Sequence, residues 1–134
     1  MKRCRAIVLL LSFAMIFITS AVFGQTATPS GDPIKIGGSL PLTGMASEQG
    51  KWVKAGYDWW VEDVNSRGGL LGRPVKLILY DDESSAEKAV TYYERAISVD
   101  KVDLVSGGYP GPSNVALMPV VEKYKKVFIG QGGH

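Results

Sequence analysis

The stretch Ile34–Gly44, IKIGGSLPLTG, decides how this chain folds. Ile34, Ile36 and Leu40, with small residues between them, read as a short buried strand. Pro41-Leu42-Thr43-Gly44 is turn chemistry. Ser47–Asn65 then carries Trp52, Val53, Gly56, Trp59, Trp60 and Val64 at three- and four-residue steps, the signature of one helical face. A strand, a tight turn and an amphipathic helix open a strand–helix–strand unit. The turn then lies on the edge of an open parallel sheet where such sheets bind ligands. Ser47 or Thr43 is placed to cap the helix and Glu48 suits its positive end. Gly50 and Gly56 are costly inside a helix, so both predict close approach to the sheet.

The same unit repeats downstream. Asn65-Ser66-Arg67-Gly68-Gly69 supplies C-cap chemistry, and Leu71-Gly72-Arg73-Pro74 is a second turn. Val75–Tyr80 is the second strand, ended by Asp81-Asp82-Glu83. Ser84 or Ser85 caps a helix through about Ser98, with Ala86, Ala89, Val90, Tyr93 and Ile97 inward. Val102–Ser106 is the third strand, and Gly107–Ser113, GGYPGPS, is a loop. A third helix over Asn114–Tyr124 turns Val115, Leu117, Met118, Val121 and Tyr124 inward, and Val127–Ile129 is a fourth strand. This alternation predicts an α/β fold: an open parallel sheet with helices on both faces and right-handed crossovers. The last strand has no helix after it, so residues 34–134 are expected to be the front part of a longer protein.

Upstream, Lys2, Arg3 and Arg5 precede an almost unbroken apolar run, Ala6–Phe23, and Val22-Phe23-Gly24 suits a signal peptidase. Residues 1–24 are read as a cleaved secretory signal and residues 25–33 as a flexible polar linker. A retained anchor is the alternative, because the run approaches the roughly 20 residues that a spanning helix needs. The protein is therefore expected in the periplasm or outside the cell. Removing the signal takes the formal charge from +2 to −1, and no Lys/Arg cluster is left to bind nucleic acid. Cys4, the single cysteine, leaves with it, so neither a disulfide nor a cysteine metal site is expected.

Several motifs fail on spacing. Gly44–Trp52 has five residues between its glycines and a tryptophan after the lysine, where a phosphate loop needs four and Ser/Thr. No Gly-x-Gly-x-x-Gly follows the first strand, and no Gly-x-Ser-x-Gly elbow supports a hydrolase. Asp81-Asp82-Glu83 reads as a helix-capping carboxylate group rather than a metal or phospho-acceptor cluster. Trp52, Trp59 and Trp60 with Tyr57 read as packing rather than a binding face. His134 is the only histidine and has no triad partners.

Gly107–Ser113 carries the strongest local signal, since glycines admit a ligand to the backbone, and amides plus the Ser113 hydroxyl suit a carboxylate. In a sheet ordered two-one-three-four, the Thr43–Ser47 and Tyr109–Ser113 loops would face one cleft. Thr43, Tyr109 and Ser113 are candidate ligand-binding residues on this reading.

The segments IKIGGSLPLTG, VEDVNSRGGLLGRPVKLILYDDES and EKYKKVFIGQGG resemble the periplasmic substrate-binding proteins of branched-chain amino acid (Leu/Ile/Val-type) ABC transporters. The resemblance spans Ile34–His134. It implies the first lobe, incomplete, of a bilobed fold that closes on a ligand at its hinge. It also implies α-carboxylate contacts at Gly111–Ser113 and Gly132–His134. Gly111 and His134 stand where amino-acid binders of the family typically have a serine and a threonine, which opens the ligand class to other small carboxylates and amides. The expected protein is a non-enzymatic solute carrier that hands a small molecule to a membrane permease, without cofactor, metal or nucleic acid. The alternative is the extracellular sensor domain of a receptor with the same fold.

Overall fold

A computed structural model describes residues 28–109 and 111–131. The signal segment, the first three residues of the linker and two candidate residues, Gly132 and His134, lie outside the described residues. The elements run β1 (Ile34–Leu40), α1 (Ser47–Ser66), β2 (Val75–Asp81), α2 (Ala86–Ser98), β3 (Leu104–Gly107), α3 (Gly111–Tyr124) and β4 (Phe128–Gly130). The strands form one sheet in the order β2-β1-β3-β4, and every pairing is parallel. β1 is the interior strand, paired with β2 from Ile34↔Val75 through Leu40↔Asp81 and with β3 at Ile36↔Leu104 and Gly37↔Val105. The strand–helix alternation, the parallel sheet and the expected order are all observed.

Period-two alternation divides the strands between two faces. Ile78, Val105 and Phe128 join a core with Ala89, Tyr93, Ala96 and Ile97 of α2 and Leu117, Val120 and Val121 of α3. Ile36, Leu77, Leu104 and Ile129 point the other way, toward Tyr57 and Trp60 of α1. Close packing on the first side depends on the glycines of β1. A methyl group on Gly38 would come within 2.1 Å of the Ser106 carbonyl oxygen.

The connector from α1 to β2 is built as its sequence suggests. Asn65 donates from Nδ2 to the Val75 carbonyl and accepts from the Val75 N–H, at 3.0 and 2.8 Å. That pair ties the end of α1 to the start of β2. Leu70 and Arg73 bond reciprocally around Leu71 and Gly72, whose φ values of +56° and +75° match a two-residue hairpin turn.

Several expectations on helix faces are corrected. Trp52 and Trp59 do not pack inward; they are 73% and 70% exposed. Gly50 does meet the sheet connection, its added Cβ falling 2.0 Å from the Pro41 oxygen, whereas Gly56 has open space beside it. α1 has Ala46 at its N-cap and no side-chain cap, so neither Ser47 nor Thr43 serves there. Ser85 caps α2 as expected, accepting from the Lys88 N–H. α3 starts at Gly111, earlier than read, and buries Ser113, Leu117, Val120 and Val121 while Val115 and Met118 face out. Its run VALMPVV offers two apolar stripes, and packing against α2 selects one.

Candidate functional site

The carboxyl ends of β1 and β3 are neighbours in the sheet, and the loops that leave them form the candidate site. The loop after β1 is anchored by Asp81 at the end of β2. The Asp81 carboxylate accepts from the Leu42 and Thr43 N–H groups at 2.9 and 3.1 Å, from the Thr43 hydroxyl at 2.8 Å and from the Glu83 N–H at 2.9 Å. Partial burial pushes its pKa up, but these donors outweigh that effect and hold it below the usual carboxylate value. Ser84 adds a second tie, accepting from the Ala46 N–H at 3.0 Å and donating to the Thr43 carbonyl at 3.1 Å. Gly44, at φ +81°, lies so close to the Glu83 carbonyl that a side chain there would collide with it.

Asp82 sits beneath this lattice and is buried. It accepts from the Ser39 hydroxyl at 2.7 Å and the Ser84 N–H at 3.0 Å. Burial raises its pKa against those two bonds, with the Asp81 charge adding to the rise. The sequence reading of Asp81-Asp82-Glu83 as a cap for the following helix is therefore corrected. The two aspartates bind the loops after β1 and β2 to each other, and Ser85 does the capping.

The second loop is short. Gly107 and Gly108 have φ of +128° and +78°, a half-buried Tyr109 follows, and α3 begins at Gly111. Gly111 and Ser113 thus belong to the first turn of a helix rather than to a loop, and Ser113 is buried. Asn114 joins that turn to the end of β4 by donating to the Gln131 carbonyl at 3.0 Å. Its Oδ1 is buried without a partner among the described residues.

Gln131 extends the connection to α1. Its side-chain amide donates to the Tyr57 hydroxyl, Tyr57 bonds the Ser106 hydroxyl at 2.6 Å, and Ser106 donates to the Ile129 carbonyl at 3.0 Å. With Ser106 donating to Ile129, the Tyr57 proton points to Ser106. Burial raises the Tyr57 pKa, against the bond to Ser106, so the phenol stays a donor. The chain of bonds crosses the rim of a 220 Å³ cavity lined by Ile36, Trp60, Leu77, Leu104 and Ile129. Sequence reading placed Thr43, Tyr109, Gly111 and Ser113 at this edge of the sheet. It missed Tyr57, Asn114 and Gln131, which connect the elements around them; Gln131 and Tyr57 are 74 residues apart, so no local pattern could pair them.

A family model described as periplasmic binding protein matches residues 33–134. The chain belongs to the periplasmic binding protein family. An amino acid binding protein of Pseudomonas aeruginosa is 28% identical over 113 residues, covering 84% of this chain and 30% of that protein. A Leu/Ile/Val-binding protein of Rhizobium johnstonii is 36% identical over 84 residues, covering 63% of this chain and 22% of its own length. The crystal structure of a leucine binding protein from Thermotoga maritima superposes with a TM-score of 0.68 at 29% identity, over 75% of this chain and 28% of that one. The chain spans less than a third of the length of these three proteins. The resemblance read from PLTG, the glycine-rich connector and YDDES is borne out. The family is one of solute binders.

Proposed function

We propose that this chain is the front part of the first lobe of an exported ABC-importer binding protein. It captures an amino acid, or a related small carboxylate or amide, between two lobes and delivers it to a membrane permease. The observation that carries this reading is the pairing of two prepared loops at the switch point between β1 and β3. One is the Thr43 loop, held by Asp81; the other is the first turn of α3, with buried Ser113.

The chemistry of the two loops is complementary to such a ligand. The first turn of α3 offers amides without intrahelical partners and the positive end of a helix dipole to a carboxylate; Pro112 contributes no N–H, so Gly111 and Ser113 are the donors. The Thr43 hydroxyl has its proton committed to Asp81, so toward a ligand it accepts, as an ammonium or amide N–H requires. Tyr109 follows β3 at the same edge, and Gly132 and His134 are further proposed contacts on the family resemblance alone. Closure of the second lobe then shifts the population by contacts that exist only in the closed state.

The test is calorimetry on the complete mature protein with a panel of amino acids, small carboxylates and amides. Ser113→Ala should weaken a carboxylate ligand by about 1–3 kcal/mol through loss of a charge-assisted bond. Unchanged affinity would remove Ser113 from the site, and a protein that binds no member of the panel would remove the reading.

A further inference from the structure

Three elements converge on Gln131. Its N–H donates to the Gly107 carbonyl at 3.0 Å, where β3 gives way to its loop. Its carbonyl accepts from Asn114 Nδ2, in the first turn of α3, at 3.0 Å. Its side-chain amide reaches Tyr57 of α1, 74 residues back in the chain. β4 itself spans three residues and pairs with β3 at three positions, so these bonds are a large share of what fixes its end.

The side-chain bonds close into a directed circuit. Gln131 donates to Tyr57, Tyr57 donates to Ser106 at 2.6 Å, and Ser106 donates to the Ile129 carbonyl at 3.0 Å, two residues before Gln131. Each hydroxyl accepts one bond and donates one, an arrangement in which every bond polarises the next. Asn114 carries the circuit to the neighbouring loop. Its Oδ1 packs over Gly108, so closely that a side chain on Gly108 would collide with it, while its Nδ2 holds Gln131. Ser113, next to it in the same turn, is buried.

We propose that Tyr57 and Gln131 are positioning residues for the solute site: through Gly107 and Asn114 they fix the first turn of α3 and the glycine loop before it. This rests on the reading that those two segments receive the solute. Neither side chain needs to touch it. Tyr57 references the turn to α1, which Asn65 ties separately to β2. A ring that merely filled space beside the cavity would be served as well by phenylalanine, whereas the circuit needs the hydroxyl.

The experiment is hydrogen–deuterium exchange on the complete mature protein. Tyr57→Phe and Gln131→Leu should each speed exchange of the Gly107–Asn114 amides by about three- to tenfold, the net worth of one hydrogen bond. Exchange in β2 and α2 should stay as it is, and the double variant should match the single ones, because either cut opens the same circuit. Tyr80→Phe removes a hydroxyl bonded to Asp100 instead, and as the control it should leave Gly107–Asn114 unchanged. Unaltered exchange of that segment in Tyr57→Phe and Gln131→Leu overturns the proposal. So does an equal rise throughout the protein, or single effects that multiply in the double variant. Calorimetry with L-leucine and benzoate then connects position to binding. A probe that binds the wild type should bind Tyr57→Phe about three- to tenfold more weakly, and equal affinity overturns the proposal. If neither probe binds the wild type, the assignment of the solute fails, and the exchange result decides the positioning role by itself.

Discussion

The two faces of the sheet are built to different standards. On one, α2 and α3 press against the strands, and Ala89, Tyr93, Ala96, Val105 and Leu117 are each 0% exposed. On the other, α1 lies over β1 and β2 but leaves a 220 Å³ cavity beside Leu104 and Ile129, and Ile129 is 56% exposed. Parallel sheets are normally covered on both faces. The closed face sets the stability of these residues. The open face places Tyr57 and Gln131, the groups that tie α1 to the end of β4, against the cavity rim. Rigidity and access are thus divided between the two sides of one sheet.

The largest expected effect breaks the closed face at its tightest point. Gly38→Ala puts a methyl group 2.1 Å from the Ser106 carbonyl and against the Tyr93 ring. It should cost about 3 kcal/mol or more in urea unfolding of the complete protein, since backbone and a fully buried ring cannot yield. A near-neutral result would mean that β1 and α2 are not in close contact.

Truncation on each side measures the difference directly. Leu117→Ala should cost about 2–5 kcal/mol, because it empties packed volume. Ile129→Ala, on the open face, should cost about 0.5 kcal/mol or less. Equal losses would show that the open face is covered in the complete protein, which the same measurement then quantifies.

Proton linkage sharpens the contrast at the carboxyl edge. Asp82 is buried and its pKa is raised, so the folded state binds a proton more readily than the unfolded chain does. Its stability contribution is present below the ordinary value of 3.8 and is lost as the pH rises through the raised folded value. Asp81 is the reverse case: its pKa is lowered, so its contribution is present above 3.8 and is lost as the pH falls through the folded value. Thermal midpoints against pH should therefore lose their decline above 3.8 in Asp82→Asn. Asp81→Asn should instead remove part of the acid-side loss. A steeper decline above that pH in Asp82→Asn would refute the buried placement.

The smallest effect separates the two glycines of α1. Gly56 has open space where a side chain would go, so Gly56→Ala should stabilise the helix by about 0.5–1 kcal/mol. Gly50→Ala should do the opposite, because its Cβ meets the Pro41 carbonyl.

The positions of strands and helices were legible because their signals are local. Alternation in VKLILY, the Ser85 cap and the glycine-rich connector each act within a few residues. Even the sheet order followed, since it needs only parallel strands and short crossovers. The orientation of α1 was not legible, because aromatic residues lie on more than one side of it. Trp60 and Trp59 are adjacent in sequence, yet one lines the cavity and the other faces out. The geometry of the candidate site was half legible. Thr43 and Ser113 could be placed by the turns around them, while the roles of Asp81 and Asp82 depended on what lay across the sheet.

By itself, the sequence determined the alternating α/β architecture, the turns and their edge of the sheet, and the family. Those rest on steric preferences and periodicity, which each segment carries with it. Tertiary structure alone decided which indoles are exposed, which glycine is indispensable and which aspartate is buried. Those depend on neighbours brought together from distant positions, and burial and hydrogen bonding are properties of that company rather than of any residue.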